Sequence, residues 1–335
     1  MPEQNQAPSL LPWQKGLWQQ IQKRRIEDKY PHALLLSGPA GVGKQQFGAM
    51  LAKSLVCEAD SITQQPCGHC KSCSLVDAGS HPDVFWLEPE EAGKTIRIDA
   101  VRGLSQKSVL TTHSQNSRVF IVSPADAMNQ ASSNALLKTL EEPTSATAMI
   151  LISSQPHKLP ATIRSRCQTL SFKAVDTTQT ESWLADRIDS SKKAELIALT
   201  GGAPLQIIKA KEEQWLENAV NLISDLEALK ARKTNPIQIA NNWNGQAPER
   251  ILGDLSRICS DLIHLLSSKE NTRLYIPSHR DRLQSLSKGI NLQQLYFFMD
   301  ELNQLRRQMG HNLNMQMLLE TLVINWLSLT RPEAR

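Results

Sequence analysis

The sequence predicts an α/β domain with a parallel, phosphate-loop-like sheet, then a small helical segment and an all-helical C-terminal domain. Three observations predict this. Short apolar runs alternate with helical patterns as far as about residue 172, a glycine-rich turn (GPAGVGK, 38–44) joins the first run to a helix, and beyond about residue 213 only helical patterns remain. Strands separated by helices cross over and pair in parallel, whereas helical patterns without strands pack on one another. The predicted segments are 1–172, 173–210 and 211–335. With 335 residues, 40% of them hydrophobic, the chain can bury more than one core.

In chain order, HALLLSG (32–38) is a buried strand running into the glycine turn, and the helix after it places Phe47, Met50, Leu51 and Leu55 on one face. DVFWLEP (83–89), RVFIVSP (118–124), AMILISS (148–154) and TLSFKA (169–174) are further strands. Between them lie a helix over 99–110, with Asp99 as its N-cap, and a helix over 131–142 stopped by Pro143. ESWLADRI (181–188), AELIALTGG (194–202) and APLQIIKAKEE (203–213) are short helices broken at Gly201–Gly202. In the last segment, Trp215, Ala219, Leu222 and Leu226 form one helical stripe, and 250–266 and 291–309 repeat the habit. MQMLLETLVINWLSL (315–329) carries Glu320 and Asn325 and reads as a buried helix rather than a membrane span. The N-terminus has no basic region followed by an apolar core, so no signal peptide is predicted and a soluble, cytoplasmic protein is expected. The formal charge of +4 permits a local basic patch and does not by itself argue for nucleic acid.

The glycine turn carries the first candidate site. Gly38, Gly41, Gly43 and Lys44 fit G-x-x-x-x-G-K-[ST], in which backbone N–H groups at a helix N-terminus cradle phosphates and the lysine adds charge. Gln45 stands where a hydroxyl would hold Mg²⁺. Hydrolysis also needs acids at the end of a later strand, but VFIV is followed by Ser123 and Pro124, and the nearest acid is Asp126. Two parts of a metal site are therefore missing, which argues against hydrolysis and leaves weak ATP binding, or none.

The second candidate is Cys57, Cys67, Cys70 and Cys73, spaced C-x9-C-x2-C-x2-C. Thiolates three positions apart across a tight turn can grip one tetrahedral ion, and Gly68 permits that turn. Four thiolates fill the coordination sphere, so a bound zinc would be structural. An iron–sulfur cluster uses related spacings, and unligated thiols are the third reading. His69 or His81 could replace a cysteine, while solvated histidines account for them equally. Cys167 and Cys259 stand alone and read as packed interior residues.

NALLKTLEEP (134–143), KLPATIRSRCQ (158–168) and the inserted four-cysteine module resemble bacterial clamp-loader subunits of the AAA+ class, and the missing metal residues resemble the delta-prime type of DNA polymerase III. The likeness is dense over 32–172 and weaker beyond. It implies an AAA+ α/β domain with a zinc-module insertion, a helical lid, and a helical collar that joins neighbouring subunits. The implied partners are gamma/tau and delta subunits in a hetero-pentameric ring, the sliding clamp, and primed DNA reached through the complex. Motor-type relatives keep the full loop and its acids, and an active ATPase of gamma/tau type is the alternative. In the delta-prime type the departures at Gln45, Ser123 and Pro124 are expected, as is the lack of an arginine in Gly201–Gly202–Ala203–Pro204. The resemblance assigns the motif Ser165, Arg166 and Cys167 to an arginine finger, with Arg166 reaching the γ-phosphate bound by a neighbour.

Read without the family, Arg166 pairs equally well with an acid at the domain edge, and Arg164 is structural or a secondary contact. Glu141 and Glu142 sit at a helix C-terminus, where the dipole disfavours acids, so they are either held by basic groups or simply solvated. Arg97, Arg102 and Lys107 form a basic face that either approaches phosphates or is merely hydrated. The seven tryptophans are scattered and read as packing anchors.

Overall fold

Strands form where apolar, β-branched and long aliphatic residues run without interruption, because a parallel strand buries both its faces. The computed structural model describes residues 9–59, 65–91, 93–109, 118–143, 147–267, 274–308 and 314–330. Its strands are β1 (Ala33–Ser37), β2 (Val84–Leu87), β3 (Arg118–Val122), β4 (Thr147–Ser153) and β5 (Gln168–Ser171). They form one sheet in the order β2-β3-β4-β1-β5, with every neighbouring pair parallel. Leu34, Leu36, Val119, Ile121, Ala148, Ile150 and Ile152 pack on one face. The alternate residues Ala33, Leu35, Phe120, Val122, Met149 and Leu151 pack on the other.

The first face is covered by α1 (Lys15–Ile26), through Trp18 and Ile21, and by α2 (Lys44–Val56), through Phe47, Met50 and Leu51. A short α3 (Lys71–Asp77) packs against α2. The second face is covered by α4 (Ile98–Val109), α5 (Gln130–Glu141) and the one-turn α6 (Ala161–Arg164), through Val101, Leu104, Leu136, Leu140 and Ile163. Asn129 caps α5, its side chain accepting from Ser132 N at 2.8 Å. Asp99 is not the N-cap of α4: the helix already includes Ile98, and Asp99 lies in its first turn, where the dipole still favours an acid. α1 has no counterpart in the sequence reading, because its inner face is only Trp18, Ile21 and Gln22 and the periodic signal is weak.

The chain divides into two compact units between Gln179 and Thr180, a division that α7 (Thr177–Trp183) spans. The second unit contains α8 (Ser190–Thr200), α9 (Pro204–Glu212), α10 (Trp215–Lys230), α11 (Pro236–Asn244), α12 (Pro248–Ser267), α13 (Arg280–Ser287), α14 (Leu292–Gln308) and α15 (Met315–Leu329). Gly201, left-handed at φ 68°, ends α8. A small apolar cluster gathers Leu184, Ile188, Leu196, Ile197 and Ile207. A larger one is built from α10 to α15 around the buried Trp243 and Trp326. Buried Asp261 accepts from Tyr275 N at 2.8 Å and Ile276 N at 3.1 Å, which settles the backbone donors of the turn ahead of α13. No helix among the described residues is long and apolar enough to cross a membrane.

Candidate functional sites

Sheet order decides what surrounds the glycine turn. β1 lies between β4 and β5, so the segments leaving these strands meet at their carboxyl ends, where open α/β sheets place their ligand crevices. Gly38 leaves β1 at φ 151°, and a Cβ there would lie 2.2 Å from Phe172 O. Gly41 and Gly43 are left-handed, at φ 76° and 85°. A Cβ on Gly43 would meet Gln14 Nε2 and Leu11 Cδ1, each at 2.5 Å. Gly38→Ala is expected to cost about 2–4 kcal/mol, read from urea unfolding of the full chain, because both the backbone angle and the space exclude a side chain.

Lys44 lies buried beneath the turn, and its Nζ donates to Gly38 O at 2.7 Å, Pro39 O at 2.6 Å and Ser154 Oγ at 3.0 Å. An ammonium has three donors, and these contacts use all of them. Burial pushes its pKa down to about 8, opposed in part by the Asp126 carboxylate. Gln45 donates to Glu88 Oε1 at 3.3 Å, while Asp126 Oδ1 accepts from Ser154 N at 3.1 Å. The groups nearest the missing metal positions are thus engaged with protein partners. The reading from sequence missed the outer support of the turn. Trp13 Nε1 donates to Val42 O at 2.9 Å, and buried Gln14 donates to Val42 O at 3.2 Å and Gly43 O at 2.8 Å. No local signal in PWQ could announce contacts to a segment nearly thirty residues on.

The four cysteines come together. Cys57 is the C-cap of α2, Cys70 is the N-cap of α3, and all four sulfurs lie within 4.8 Å of one another. Cys67 Sγ and Cys73 Sγ are 3.9 Å apart, close to the roughly 3.8 Å edge of a tetrahedron with metal–sulfur bonds of about 2.3 Å. Backbone N–H groups point at the sulfurs: Cys67 N at Cys57 Sγ (3.4 Å), Cys70 N at Cys67 Sγ (3.4 Å) and Cys73 N at Cys70 Sγ (3.3 Å). The backbone N–H groups of His69 and then Cys70, with contacts from the Cys70 and Cys57 side chains, hold the Cys67 thiol down at about 6. The set can hold a metal ion such as zinc. His69 is exposed and turned to Cys67 O at 2.8 Å, and buried His81 accepts from Asp83 N at 3.1 Å, so neither joins the sulfurs.

The module is tied to the sheet domain by Lys53, buried in α2, whose Nζ lies 2.6 Å from Asp77 Oδ2 at the end of α3. Asp77→Asn would strand a buried ammonium and is expected to cost about 3–5 kcal/mol, lowering the urea midpoint of the full chain.

Arg166 stands two residues beyond α6. Its Nη2 is 2.7 Å from Glu141 Oε1, and its Nη1 donates to Thr162 O at 3.0 Å and Ser165 Oγ at 3.4 Å, with the side chain still 36% exposed. Ser165 Oγ also donates to Thr162 O at 3.2 Å. Cys167 is buried among Ile163 and Leu159, and burial pushes its thiol up to about 11. Of the motif, Cys167 is closed off in the core, Ser165 is exposed with its Oγ turned to Thr162 O, and Arg166 keeps a charged end partly exposed. The basic face resolves into local pairs: Arg97 with Glu90 at 3.6 Å, Arg102 with Asp99 at 3.5 Å, and Lys107 Nζ 4.7 Å from the centre of the Phe85 ring.

A parallel sheet of this order, opening on a glycine-rich, phosphate-loop-like turn and carrying a four-cysteine module, defines an α/β chain in which Gln45 stands where a metal-holding hydroxyl would be. The family description "DNA polymerase III, delta subunit" matches residues 13–176, and "DNA polymerase III, delta subunit, C terminal" matches 213–328. The chain is 35% identical over 331 residues to DNA polymerase III subunit delta-prime of Pseudomonas aeruginosa, covering 96% of this chain and 99% of that one. The Bacillus subtilis subunit of the same name is 29% identical, covering 92% of this chain and 94% of its own length. DNA polymerase III subunit tau of Bacillus subtilis is 30% identical over 63% of this chain and 36% of tau. The chain belongs to the delta-prime family of DNA polymerase III clamp-loader subunits.

Proposed function

We propose that this chain is a non-hydrolysing clamp-loader subunit that helps load the sliding clamp onto primed DNA and lends Arg166 to the ATP site of an adjacent gamma/tau subunit. The observation that carries the reading is the state of its own loop: Lys44 spends its three donors on Gly38 O, Pro39 O and Ser154 Oγ, and Gln45 replaces the metal-holding hydroxyl. A phosphate could recruit that ammonium only by breaking contacts the fold already makes, so ATP binds weakly or not at all. Arg166 supports the second half of the reading. Its guanidinium is exposed, oriented and permanently charged, and its fork matches phosphoryl oxygens.

In this reading the first segment, 1–172, is the AAA+ domain, 173–210 the lid and 211–335 the collar. The collar assignment draws support from Tyr296, Phe297, Met317 and Ile324, large apolar side chains between 49% and 67% exposed on the helical unit. Gamma/tau and delta subunits complete a hetero-pentameric ring in the cytoplasm, and DNA is met through the complex. The metal is a single structural zinc, since sulfurs within 4.8 Å embrace one ion rather than a multi-iron cluster.

The test is ATP turnover by the reconstituted loader with clamp and primed DNA. Arg166→Ala is expected to depress it while Lys44→Ala leaves it intact. Loss of turnover in Lys44→Ala would instead favour the active-motor alternative, which rests on the intact glycines of the loop.

A further inference from the structure

We propose that Glu141 is a positioning residue for Arg166, and that the pair, not the arginine alone, is the unit presented to a neighbour's phosphate. The inference rests on the finger reading above. Glu141 closes α5, where the helix dipole opposes a carboxylate, so its placement calls for a compensating cation. Arg166 supplies that cation: Nη2 meets Glu141 Oε1 at 2.7 Å, and Nη1 rests on Thr162 O at 3.0 Å. One nitrogen is held by α5 and the other by α6, so the plane of the guanidinium is set by two helices.

The stability of the fold does not account for this arrangement. Both side chains are more than a third exposed, and ion pairs so hydrated contribute little to folding. They still lower the entropy lost when a long side chain is recruited, which is how a surface pair can serve a reaction. A guanidinium has five N–H groups, and the three contacts leave others free to face outward. Glu142, the next residue, is equally exposed but lies on the C-cap, outside the helix. The carboxylate matched to Arg166 is Glu141.

The experiment uses the reconstituted loader with clamp and primed DNA, measuring KM for ATP and, from single-turnover bursts, kcat at the one ATP site that Arg166 serves, in Glu141→Gln, Glu141→Asp, Arg166→Ala and the double variant Arg166→Ala/Glu141→Gln. Glu141→Gln is expected to lower kcat about tenfold at unchanged KM, because a misdirected charge costs rate rather than binding. Glu141→Asp should recover part of that loss, and Glu141→Gln should cost nothing further once Arg166 is gone. An unchanged kcat in Glu141→Gln, or a loss that multiplies fully onto that of Arg166→Ala, overturns the positioning role. If Arg166→Ala itself leaves turnover intact, the finger reading has failed, and the two failures are told apart in one data set.

Discussion

Replacing Arg166 by alanine is expected to reduce clamp- and DNA-stimulated ATP turnover of the reconstituted loader by about 10³-fold at the ATP site it serves, the lower range for a finger supplied in trans. That factor corresponds to about 4 kcal/mol of barrier, more than a surface ion pair contributes to folding. The side chain is only paired with Glu141 and propped on Thr162 O, both at exposed positions, so its removal should leave thermal unfolding of the isolated chain within a few degrees of wild type. Arg166→Lys should recover little of the rate, because an ammonium is a point charge without the planar fork. Since other ATP sites in the assembly would still turn over, the decisive reading is a single-turnover burst reduced by one site's share. A full burst in Arg166→Ala would remove the finger from the mechanism.

The second large effect concerns the cysteine module. Removing the metal with a strong chelator, or replacing Cys73 by serine, is expected to lower the midpoint of thermal unfolding by about 10 °C or more. Structural zinc contributes about 10–16 kcal/mol in isolated four-ligand modules, and even a fraction of that moves the midpoint strongly in a domain of this size. Cys73 is fully buried, and its sulfur lies 3.9 Å from that of Cys67. Serine there would leave an open coordination position against packed surroundings. Wild-type chain should carry one zinc by elemental analysis, and the metal should leave as the pH falls and the thiolates are protonated. A metal-free chain that melts with the loaded one would show that α3 and its tie to Lys53 hold without an ion.

Much of the first unit was legible because its determinants are local. HALLLSG, RVFIVSP and AMILISS form strands within about two residues of their predicted bounds, since a continuous apolar run between turn signals has few other places to go. The glycines of the loop and the cysteine spacing were equally readable, because left-handed angles and tetrahedral ligation restrict which residue types can stand there. α1 was not legible: it buries Trp18, Ile21 and Gln22 and is otherwise polar. Its helical state is decided by the sheet face it covers.

The Ser-Arg-Cys motif shows the same division within three residues. Its presence was plain from sequence, but Cys167 turns into the core, exposed Ser165 caps the end of α6, and Arg166 keeps its charged end partly exposed beside Glu141. The acids at 141 and 142 were visible as an anomaly at a helix end, yet the sequence left open whether a basic group or water answers them. Residues 141 and 166 are brought together by chain reversal through β4, a contact with no local signature.

What the sequence determined by itself is therefore the inventory: a phosphate-loop-like turn without its metal hydroxyl, four clustered cysteines at a metal-binding spacing, a parallel sheet followed by helices, and a dense family likeness. What only the tertiary structure decided is how those parts are committed. It turns Lys44 onto the loop's own carbonyls, binds the loop from outside through Trp13 and Gln14, and sets Arg166 on Glu141. The reason is range. Spacing and composition encode constraints that act within a turn or a strand, whereas the partner of a buried ammonium or an exposed guanidinium is chosen by strand order and by which helices the sheet brings side by side.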